Sequence, residues 1–271
     1  MVIWLIKGEI MITLFDTYGD KVEIKQWKFP AGELGIKIEG TYSKDVVTIS
    51  CKYQSSDDLM YLLLLVDAIR SKNNKTYINL DMHYFPYARQ DRVCAEGESF
   101  SLRVIANLLN SCNFNKVTVW DAHSSVLQAF FDAGVLLDVK QSVLVLPLFR
   151  DKENCCLVSP DAGATKKIYD ISKSTGFPVI ESQKIRCTNT GNIIETRINN
   201  TELFESVKEL IVVDDICDGG RTFIELAKVI RKTYQKKLTL VVTHGIFSNG
   251  FSELEKYFDE ILFVNDLRKE Q

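Results

Sequence analysis

The chain has 271 residues, of which 46% are hydrophobic and 25% are charged, and its formal net charge is −3. Such a chain is long enough for one large or two small globular domains with buried cores. The lack of a basic excess argues against a nucleic-acid partner but leaves room for a local site that binds an anionic small molecule. The longest apolar stretch, residues 59–66, is too short to cross a bilayer, so no membrane partner is expected.

The cysteine count and the first residues bear on the compartment. Seven cysteines, an odd number without any CxxC pair, argue against a disulfide framework and favour a reducing cytoplasm. The apolar N-terminal stretch is broken by Lys7 and Glu9 and lacks a basic start and a small-residue cleavage site. We therefore interpret it as a core segment and not as a signal peptide.

Predicted strands and helices alternate along the chain. Strands are predicted at residues 11–15, 22–25, 46–50, 76–80, 116–120, 156–159, 210–213, 237–243 and 260–264, with an extended piece at 179–181. Helices are predicted at 57–70, 101–111, 124–131, 165–175, 222–233 and 252–257. This alternation predicts crossover units and parallel sheets, and the length favours two sheets over one. We place the domains at residues 1–142 and 143–271.

The stretch VVDDICDGGRT, residues 212–222, joins a buried strand to a helix. Gly219 and Gly220 allow close approach of the backbone, and N–H groups at the start of a helix attract an anion such as phosphate. Asp214 and Asp215 would repel that phosphate, but they can accept hydrogen bonds from sugar hydroxyls. The stretch therefore predicts a site for a phosphorylated sugar; the alternative is a tight turn capped by an aspartate.

This stretch resembles the phosphoribosyl-diphosphate (PRPP) motif of type I phosphoribosyltransferases and PRPP synthetases, without choosing between the two. The resemblance implies that Asp214 and Asp215 hold the ribose hydroxyls. It assigns the 5-phosphate to Asp218, Gly219, Gly220, Arg221 and Thr222. Two residues depart from the motif, because Gly219 stands where those families usually have a threonine and Arg221 where they have a glycine. Gly219 removes a hydroxyl donor, and Arg221 adds a cation.

A second stretch, YFPYARQDR at residues 84–92, resembles the signature of the ribose-phosphate pyrophosphokinase (PRPP synthetase) family, which phosphoribosyltransferases lack. The resemblance implies that Arg89, Gln90 and Asp91 belong to an ATP site. The stretch FPAGE is similar to a family segment that reaches adenine across a subunit interface, which implies that Phe29 and Glu33 bind ATP. The alternatives are a charged surface loop for the first stretch and a strand-edge turn for the second.

Two further stretches, DAHS and SPDAG, follow predicted strands and resemble the family's magnesium segments. The resemblance implies that His123 and Asp161 lie around Mg²⁺, and His123 is also a candidate catalytic residue. Mg²⁺ takes few protein ligands and bridges phosphates of ATP, so a small ligand set is reasonable. The alternative for Asp161 is a helix cap. Lys184 and Arg186 match the family's catalytic loop around the migrating phosphates; the alternative is a solvated charge pair.

Together these resemblances imply a member of the ribose-phosphate pyrophosphokinase family that is shorter than usual. The implied fold is α/β, with two similar domains of type I phosphoribosyltransferase-like fold, each a parallel sheet flanked by helices. The implied enzyme transfers diphosphate from Mg-ATP to the C1 hydroxyl of ribose 5-phosphate. A homo-oligomer, dimer or hexamer, with an ATP site shared between subunits is also implied. The alternatives are a phosphoribosyltransferase that uses PRPP and a non-catalytic regulatory subunit.

Overall fold

A computed structural model describes residues 2–4, 11–43, 45–186, 193–199 and 201–268, without the side chains of residues 2–4, 183–186 and 193–197. The chain divides into two compact units. The first unit is Gly8–Val139, and the second comprises Met1–Lys7 and Lys140–Gln271. The predicted domain boundary between residues 142 and 143 stays a prediction.

The described residues form the following elements in chain order. The strands are β1 (Val2–Trp4), β2 (Ile12–Phe15), β3 (Lys21–Val22), β4 (Ile24–Lys28), β5 (Leu34–Ile38), β6 (Val46–Cys51), β7 (Tyr77–Met82), β8 (Lys116–Trp120), β9 (Leu136–Val139), β10 (Cys155–Ser159), β11 (Val179–Arg186), β12 (Ile193–Ile198), β13 (Glu209–Cys217), β14 (Lys237–Gly245) and β15 (Glu260–Asp266). The α-helices are α1 (Ser56–Lys72), α2 (Ser101–Asn110), α3 (Gln141–Val145), α4 (Thr165–Thr175), α5 (Leu203–Ser206) and α6 (Arg221–Ile230), and 3₁₀ helices cover Ser125–Phe130 and Leu146–Phe149.

The first unit contains a six-stranded sheet in the order β3-β2-β6-β7-β8-β9. Strands β6 to β9 pair in parallel, whereas β2 is antiparallel to both β3 and β6. Helices α1 and α2 bury an apolar stripe in the core of this unit, including Leu62, Leu65, Ile105 and Leu109. This burial is the main source of stability for both helices, because isolated helices of such length are marginal in water.

The second unit contains a seven-stranded sheet in the order β1-β15-β14-β13-β10-β11-β12. All its described pairs are parallel except β11 with β12. Strand β10 is buried along its whole length, as expected for a parallel strand covered on both faces. The predicted α/β class with two sheets built from parallel strands and flanking helices is confirmed.

The start of α1 shows how local sequence sets an element boundary. The backbone N–H groups of Gln54 and Ser55 both donate to Oδ2 of Asp58, at 2.8 and 2.7 Å. A carboxylate in the first helical turn accepts bonds from exposed N–H groups and also interacts favourably with the helix dipole. These hydrogen bonds therefore fix the start of α1 at Ser56, one residue before the predicted start.

Several predicted elements differ from the structure. The predicted helix at 252–257 is wrong: these residues form consecutive turns, in which the N–H groups of Tyr257 and Phe258 both donate to the carbonyl of Leu254. Only Leu254 and Phe258 of this stretch carry buried apolar side chains, which is too short a stripe to support a helix. The predicted helix at 124–131 is a 3₁₀ helix, and β5, β9 and β12 were not predicted.

A further difference concerns β13, which was predicted at residues 210–213. The strand continues to Cys217 because its ladder with β14 continues, ending with Cys217 opposite Gly245. Asp214 and Asp215 therefore lie inside a paired strand and not in the loop after it. Their backbones are held by sheet hydrogen bonds, which gives both carboxylates fixed positions.

At the amino ends of β13, β14 and β15 the second unit buries a group of charged side chains. Nζ of Lys152 lies 2.7 Å from Glu209 and 3.0 Å from Glu260, and Nζ of Lys237 lies 2.8 Å from Glu260. Lys152, Glu209 and Glu260 are each only 10–12% exposed at the side chain. Although burial opposes it, the hydrogen bonds from the two lysines hold the pKa of Glu260 below its usual value.

Replacing Lys152 by methionine is expected to lower the free energy of unfolding by about 3–5 kcal/mol, because it leaves two buried carboxylates with one lysine between them. Urea titration of both proteins at neutral pH would measure the loss. Lys173→Met is the matched control, since Lys173 is 75% exposed and pairs with Asp170 on the helix surface. A loss no larger than that of the control would contradict the stabilising role of the group.

The described cysteines carry free thiols, in agreement with the predicted lack of a disulfide framework. Burial raises the pKa of the thiols of Cys51, Cys156 and Cys217 to about 12, so these three act as small apolar core residues. Among the described residues, no helix combines the length and apolar character that crossing a membrane would require.

Candidate functional site

The turn between β13 and α6 carries most of the predicted sugar-phosphate residues. Asp218 and Gly219 form a bend, Gly220 precedes the helix, and Arg221 and Thr222 are its first two residues. Gly220 has φ of 76°, a left-handed conformation that favours glycine, and an added Cβ would come within 3.1 Å of Leu254. The N–H groups at the start of this ten-residue helix suit an anion such as phosphate.

Three carboxylates lie close together beside this turn. Asp214 and Asp215 are in β13, and Asp161 follows the neighbouring parallel strand β10. Burial, together with the nearby charges of Asp215 and Asp161, raises the pKa of Asp214 well above its ordinary value. In the free protein, ionising all three carboxyl groups at once therefore carries a large electrostatic penalty. A ligand that offers hydroxyl donors or a cation would reduce that penalty.

Lys167 is a part of this group that the sequence analysis missed. It lies in the first turn of α4, and its Nζ is 3.2 Å from Oδ2 of Asp215, whose side chain is only 9% exposed. Gln141, also missed, donates from Nε2 to the backbone carbonyl of Asp214 at 2.7 Å. Neither residue belongs to a quoted motif. A lysine in the first turn of the helix after SPDAG was the available signal for Lys167.

Asp161 accepts hydrogen bonds within its own turn and is also one of the three neighbouring carboxylates. Its Oδ1 accepts hydrogen bonds from the N–H groups of Gly163 and Ala164, at 3.1 and 3.2 Å, and its backbone carbonyl accepts one from Ser159. These bonds belong to the turn before α4, whose N-cap is Ala164, so Asp161 is not the helix cap that the alternative predicted. Asp161 also lies close enough to Asp214 for its negative charge to help raise the pKa of that carboxyl.

In the first unit, the segment after β7 carries the predicted ATP residues. Phe85 and Ala88 are each 1% exposed, and they anchor a turn in which Tyr87 has φ of 61°. Arg89 and Gln90 follow with exposed side chains. The buried side chains of Phe85 and Ala88 hold this turn in place, and the guanidinium group of Arg89 and the amide of Gln90 extend from it to the surface. This arrangement suits recognition of a nucleotide.

Asp91 and His123 come together at the carboxyl edge of the same sheet. Ser124 donates from Oγ to Oδ2 of Asp91 at 2.7 Å, and Arg92 donates from Nε to Oδ1 at 2.8 Å. The hydrogen bond from Arg92, with those of Ser124 and the charge of His123, holds the pKa of Asp91 below its ordinary value. The imidazole of His123 is exposed, while its neighbours Asp121 and Ser124 are buried.

Phe29 and Glu33 flank the tip of the β4–β5 hairpin. The N–H of Phe29 donates to the carbonyl of Glu33 at 2.7 Å, and the ring of Phe29, 48% exposed, packs edge-on against Trp27 at 6.1 Å. Helix α1 holds the hairpin, because Tyr61 donates to the carbonyl of Trp27 at 3.1 Å. The structure thus presents an exposed aromatic ring and a carboxylate on a fixed hairpin tip.

The remaining predicted residues are Lys184 and Arg186. Both lie in β11, where the backbone of Lys184 pairs with Thr196 and that of Arg186 with Ile193. Their side chains lie outside the described residues, so their predicted roles stay predictions. Within the described part of the chain, no three His, Cys, Asp or Glu side chains form a metal-binding group by themselves.

Comparison with known proteins gives the family. The profile of the N-terminal domain of ribose phosphate pyrophosphokinase matches residues 16–112. A ribose-phosphate pyrophosphokinase of Ureaplasma parvum is 31% identical over 82% of this chain and 68% of its own length. One from Thermococcus kodakarensis is 30% identical over 91% of this chain and 86% of its own length.

The fold is also found in a solved structure. The phosphoribosylpyrophosphate synthetase of Mycobacterium smegmatis superposes with a TM-score of 0.75 at 23% sequence identity, over 89% of this chain and 80% of that chain. The chain thus has the α/β fold of the PRPP-synthetase architecture. At the level of sequence, the chain belongs to the ribose-phosphate pyrophosphokinase family. The predicted family, fold class and enzyme class are confirmed.

Proposed function

We propose that this chain transfers the diphosphoryl group of ATP to the C1 hydroxyl of ribose 5-phosphate, giving PRPP and AMP. One observation carries the proposal: the acids Asp214 and Asp215 in β13 are followed within a few residues by the glycine turn and the start of α6. A single sugar phosphate needs hydroxyl acceptors at one end and N–H donors at the other, and this stretch supplies both in sequence order.

The sugar end of the site follows from its charges. Asp214 and Asp215 accept hydrogen bonds from the ribose hydroxyls, and Lys167, at 3.2 Å from Asp215, offsets part of their negative charge. The 5-phosphate binds at Asp218 to Thr222 through backbone N–H groups, with Arg221 adding a positive charge. Fixing the sugar at both ends orients its C1 hydroxyl for attack, which supplies a large part of the rate enhancement in such transfers.

The nucleotide end uses residues of the first unit. Arg89, Gln90 and Asp91 bind ATP, and Phe29 and Glu33 reach the adenine of an ATP bound to another subunit of a homo-oligomer. The exposed ring on the hairpin tip supports this role, because an aromatic face can stack on a base. An exposed tip held firmly by α1 is also the kind of feature that a subunit contact would cover.

Mg²⁺ fits the donor groups present, since Asp161 offers a carboxylate beside an acidic group and His123 offers an exposed imidazole. We assign both residues to Mg-ATP. When bound, the ion neutralises phosphate charge and helps to orient the nucleotide.

The transfer itself forms a bond between the C1 oxygen and the β-phosphorus and breaks the bond from that phosphorus to the oxygen bridging to the α-phosphate. AMP leaves with that bridging oxygen, and the C1 hydroxyl loses its proton. Lys184 and Arg186 stabilise the negative charge that develops on the transferred group. The enzyme thus acts through alignment and charge stabilisation, and needs no covalent intermediate.

The test is a product analysis. The protein is mixed with Mg-ATP and ribose 5-phosphate, and nucleotides and PRPP are separated and quantified against a control without ribose 5-phosphate. AMP and PRPP are expected in equal amounts, both dependent on the sugar phosphate. A reaction of PRPP with a base that releases pyrophosphate, without AMP formation from ATP, would instead assign the chain to the phosphoribosyltransferases. ATP binding without AMP above the control would indicate a non-catalytic subunit.

A further inference from the structure

The segment that follows β14, residues 246–254, lies against the sugar-phosphate turn. The N–H groups of Ile246 and Phe247 both donate to the carbonyl of Cys217, at 2.8 and 3.1 Å, where β13 ends. Further along, Leu254 packs against Gly220 so closely that a Cβ there would lie 3.1 Å from it. The turn is therefore backed at its start and at its end by one neighbouring segment.

Between these two contacts the segment reaches over the turn with one polar side chain. Asn249 donates from Nδ2 to the backbone carbonyl of Gly219 at 3.2 Å. A Cβ built on Gly219 would come within 3.0 Å of the same Nδ2 atom and 3.7 Å of the hydroxyl of Ser248. The amide of Asn249 thus occupies the space that a side chain at position 219 would need.

The backbone conformation at position 219 does not require a glycine. Gly220 has a left-handed φ, whereas no such φ occurs at Gly219, so its backbone can accept an L-residue. The nearest obstacle to a side chain there is Asn249. The glycine and the asparagine, thirty residues apart in sequence, therefore fit each other as a pair.

We propose that Asn249 is a positioning residue for the sugar-phosphate turn: its amide holds the carbonyl of Gly219 so that the following N–H groups point toward the 5-phosphate. The proposal deepens the proposed function and rests on it for the identity of the ligand. A carbonyl that turned toward the phosphate would repel it, whereas one held by an amide donor is directed away from the ligand.

This pairing also explains a departure from the family's motif. A threonine at position 219 would contribute a hydroxyl, and Gly219 lacks it. The amide of Asn249 enters the vacated space from another segment and restrains the turn by a hydrogen bond to its backbone. The polar contact is thus supplied from a neighbouring loop instead of from the turn itself.

The test is a double-mutant cycle read by calorimetric titration of ribose 5-phosphate and, separately, of inorganic phosphate. Asn249→Ala removes the amide, and Gly219→Ala places a methyl group within 3.0 Å of Nδ2 of Asn249. Each single change is expected to raise the Kd for ribose 5-phosphate about three- to tenfold, the equivalent of one lost hydrogen bond. The double change is expected to cost about as much as either single change, because both remove the same contact.

Two further readouts separate positioning from general damage. The Kd for Mg-ATP is expected to stay within about twofold in all three variants, since one hydrogen bond is lost elsewhere. Gln235→Ala is the matched control, because Gln235 also donates a side-chain amide to a backbone carbonyl, that of Arg231, at the other end of α6. It is expected to leave the Kd for ribose 5-phosphate unchanged, even where thermal unfolding shows a small loss of stability.

The outcomes distinguish this proposal from the proposed function. Additive losses in the cycle, or an Asn249→Ala protein that binds ribose 5-phosphate as tightly as wild type does, would overturn the positioning role, whatever the products of the reaction. If the wild type formed no AMP but the cycle were non-additive for both sugar phosphate and inorganic phosphate, the proposed reaction would fail and the role of Asn249 would stand. Failure of the wild type to bind either ligand would overturn the role of Asn249 too.

Discussion

Replacing Asp214 by asparagine is expected to make the free protein more stable and to raise the KM for ribose 5-phosphate about ten- to a hundredfold. The stability gain follows from the raised pKa of Asp214, which burial and the charges of Asp215 and Asp161 impose. Asparagine has the same shape, and its Oδ1 can still accept the hydrogen bond that the N–H of Asp215 makes at 2.9 Å. The loss in KM corresponds to charged hydrogen bonds to the sugar, worth about 1.5–3 kcal/mol.

The pH dependence of the stability gain has a definite sign. At pH values below the ordinary aspartate pKa of about 3.9, residue 214 is neutral in both states, so wild type and variant should be equally stable in this respect. As the pH rises, the unfolded chain ionises first, and the wild type loses stability until the pH passes the raised pKa of the folded state. The advantage of the variant should therefore grow with pH and then become constant.

Thermal unfolding from acid to neutral pH measures the first effect, and initial rates with varied ribose 5-phosphate measure the second. In a chain of this size each ~1 kcal/mol changes Tm by about 2–4 °C. Asp170→Asn is the control, because Asp170 lies on the surface of α4 and its pKa is lowered by the hydrogen bond from Lys173. A lower Tm for Asp214→Asn would contradict the electrostatic account, and an unchanged KM would remove Asp214 from the sugar site.

Only one part of this site could be predicted from the sequence. Acids and glycines at a strand end are a local pattern, and together with YFPYARQDR they correctly indicated the family. The pattern could not show that Asp214 lies within the strand, because the length of β13 is decided by its ladder with β14. It could not show Lys167 or Gln141 either, since their partners are distant in sequence.

The same distinction between local sequence pattern and contacts distant in sequence holds for the fold. Strand β8 and helix α4 have the predicted bounds, because each segment's own sequence pattern determines them. Strands β9 and β12 were missed because they are short or polar and exist through pairing with a neighbour. The predicted helix at 252–257 is wrong because Leu254 is the only buried residue among these six, so no apolar stripe supports a helix.

The departures from the family's motif show a further limit of prediction from a single sequence. Gly219 was noted from the sequence as the loss of a hydroxyl, but its partner Asn249 carries no signal in a single chain. Only the three-dimensional contact shows that a change at one position has a counterpart in another loop. Arg221 is the first residue of α6 and is exposed, as a role toward phosphate requires.

Replacing Lys184 by alanine is expected to lower kcat about a hundred- to a thousandfold while the Kd for Mg-ATP changes much less. A cation that meets the transferred group acts mainly when negative charge develops in the transition state, so its removal affects turnover more than ground-state binding. The backbone of Lys184 is paired with Thr196 in the β11–β12 ladder, and alanine keeps these backbone groups. The fold should therefore survive the change.

Rapid-quench measurement of AMP formation in a single turnover, with ATP affinity from calorimetry, separates the two effects. Lys184→Arg, which keeps the charge, should recover part of the rate, and Lys173→Ala, which removes an exposed lysine paired with Asp170, should leave it unchanged. Equal losses of turnover and nucleotide affinity would count against the role, because they would mean that Lys184 binds ATP in the ground state. A large fall in the rate alone, with Arg186→Ala behaving in the same way, would assign both cations to the transferred phosphates.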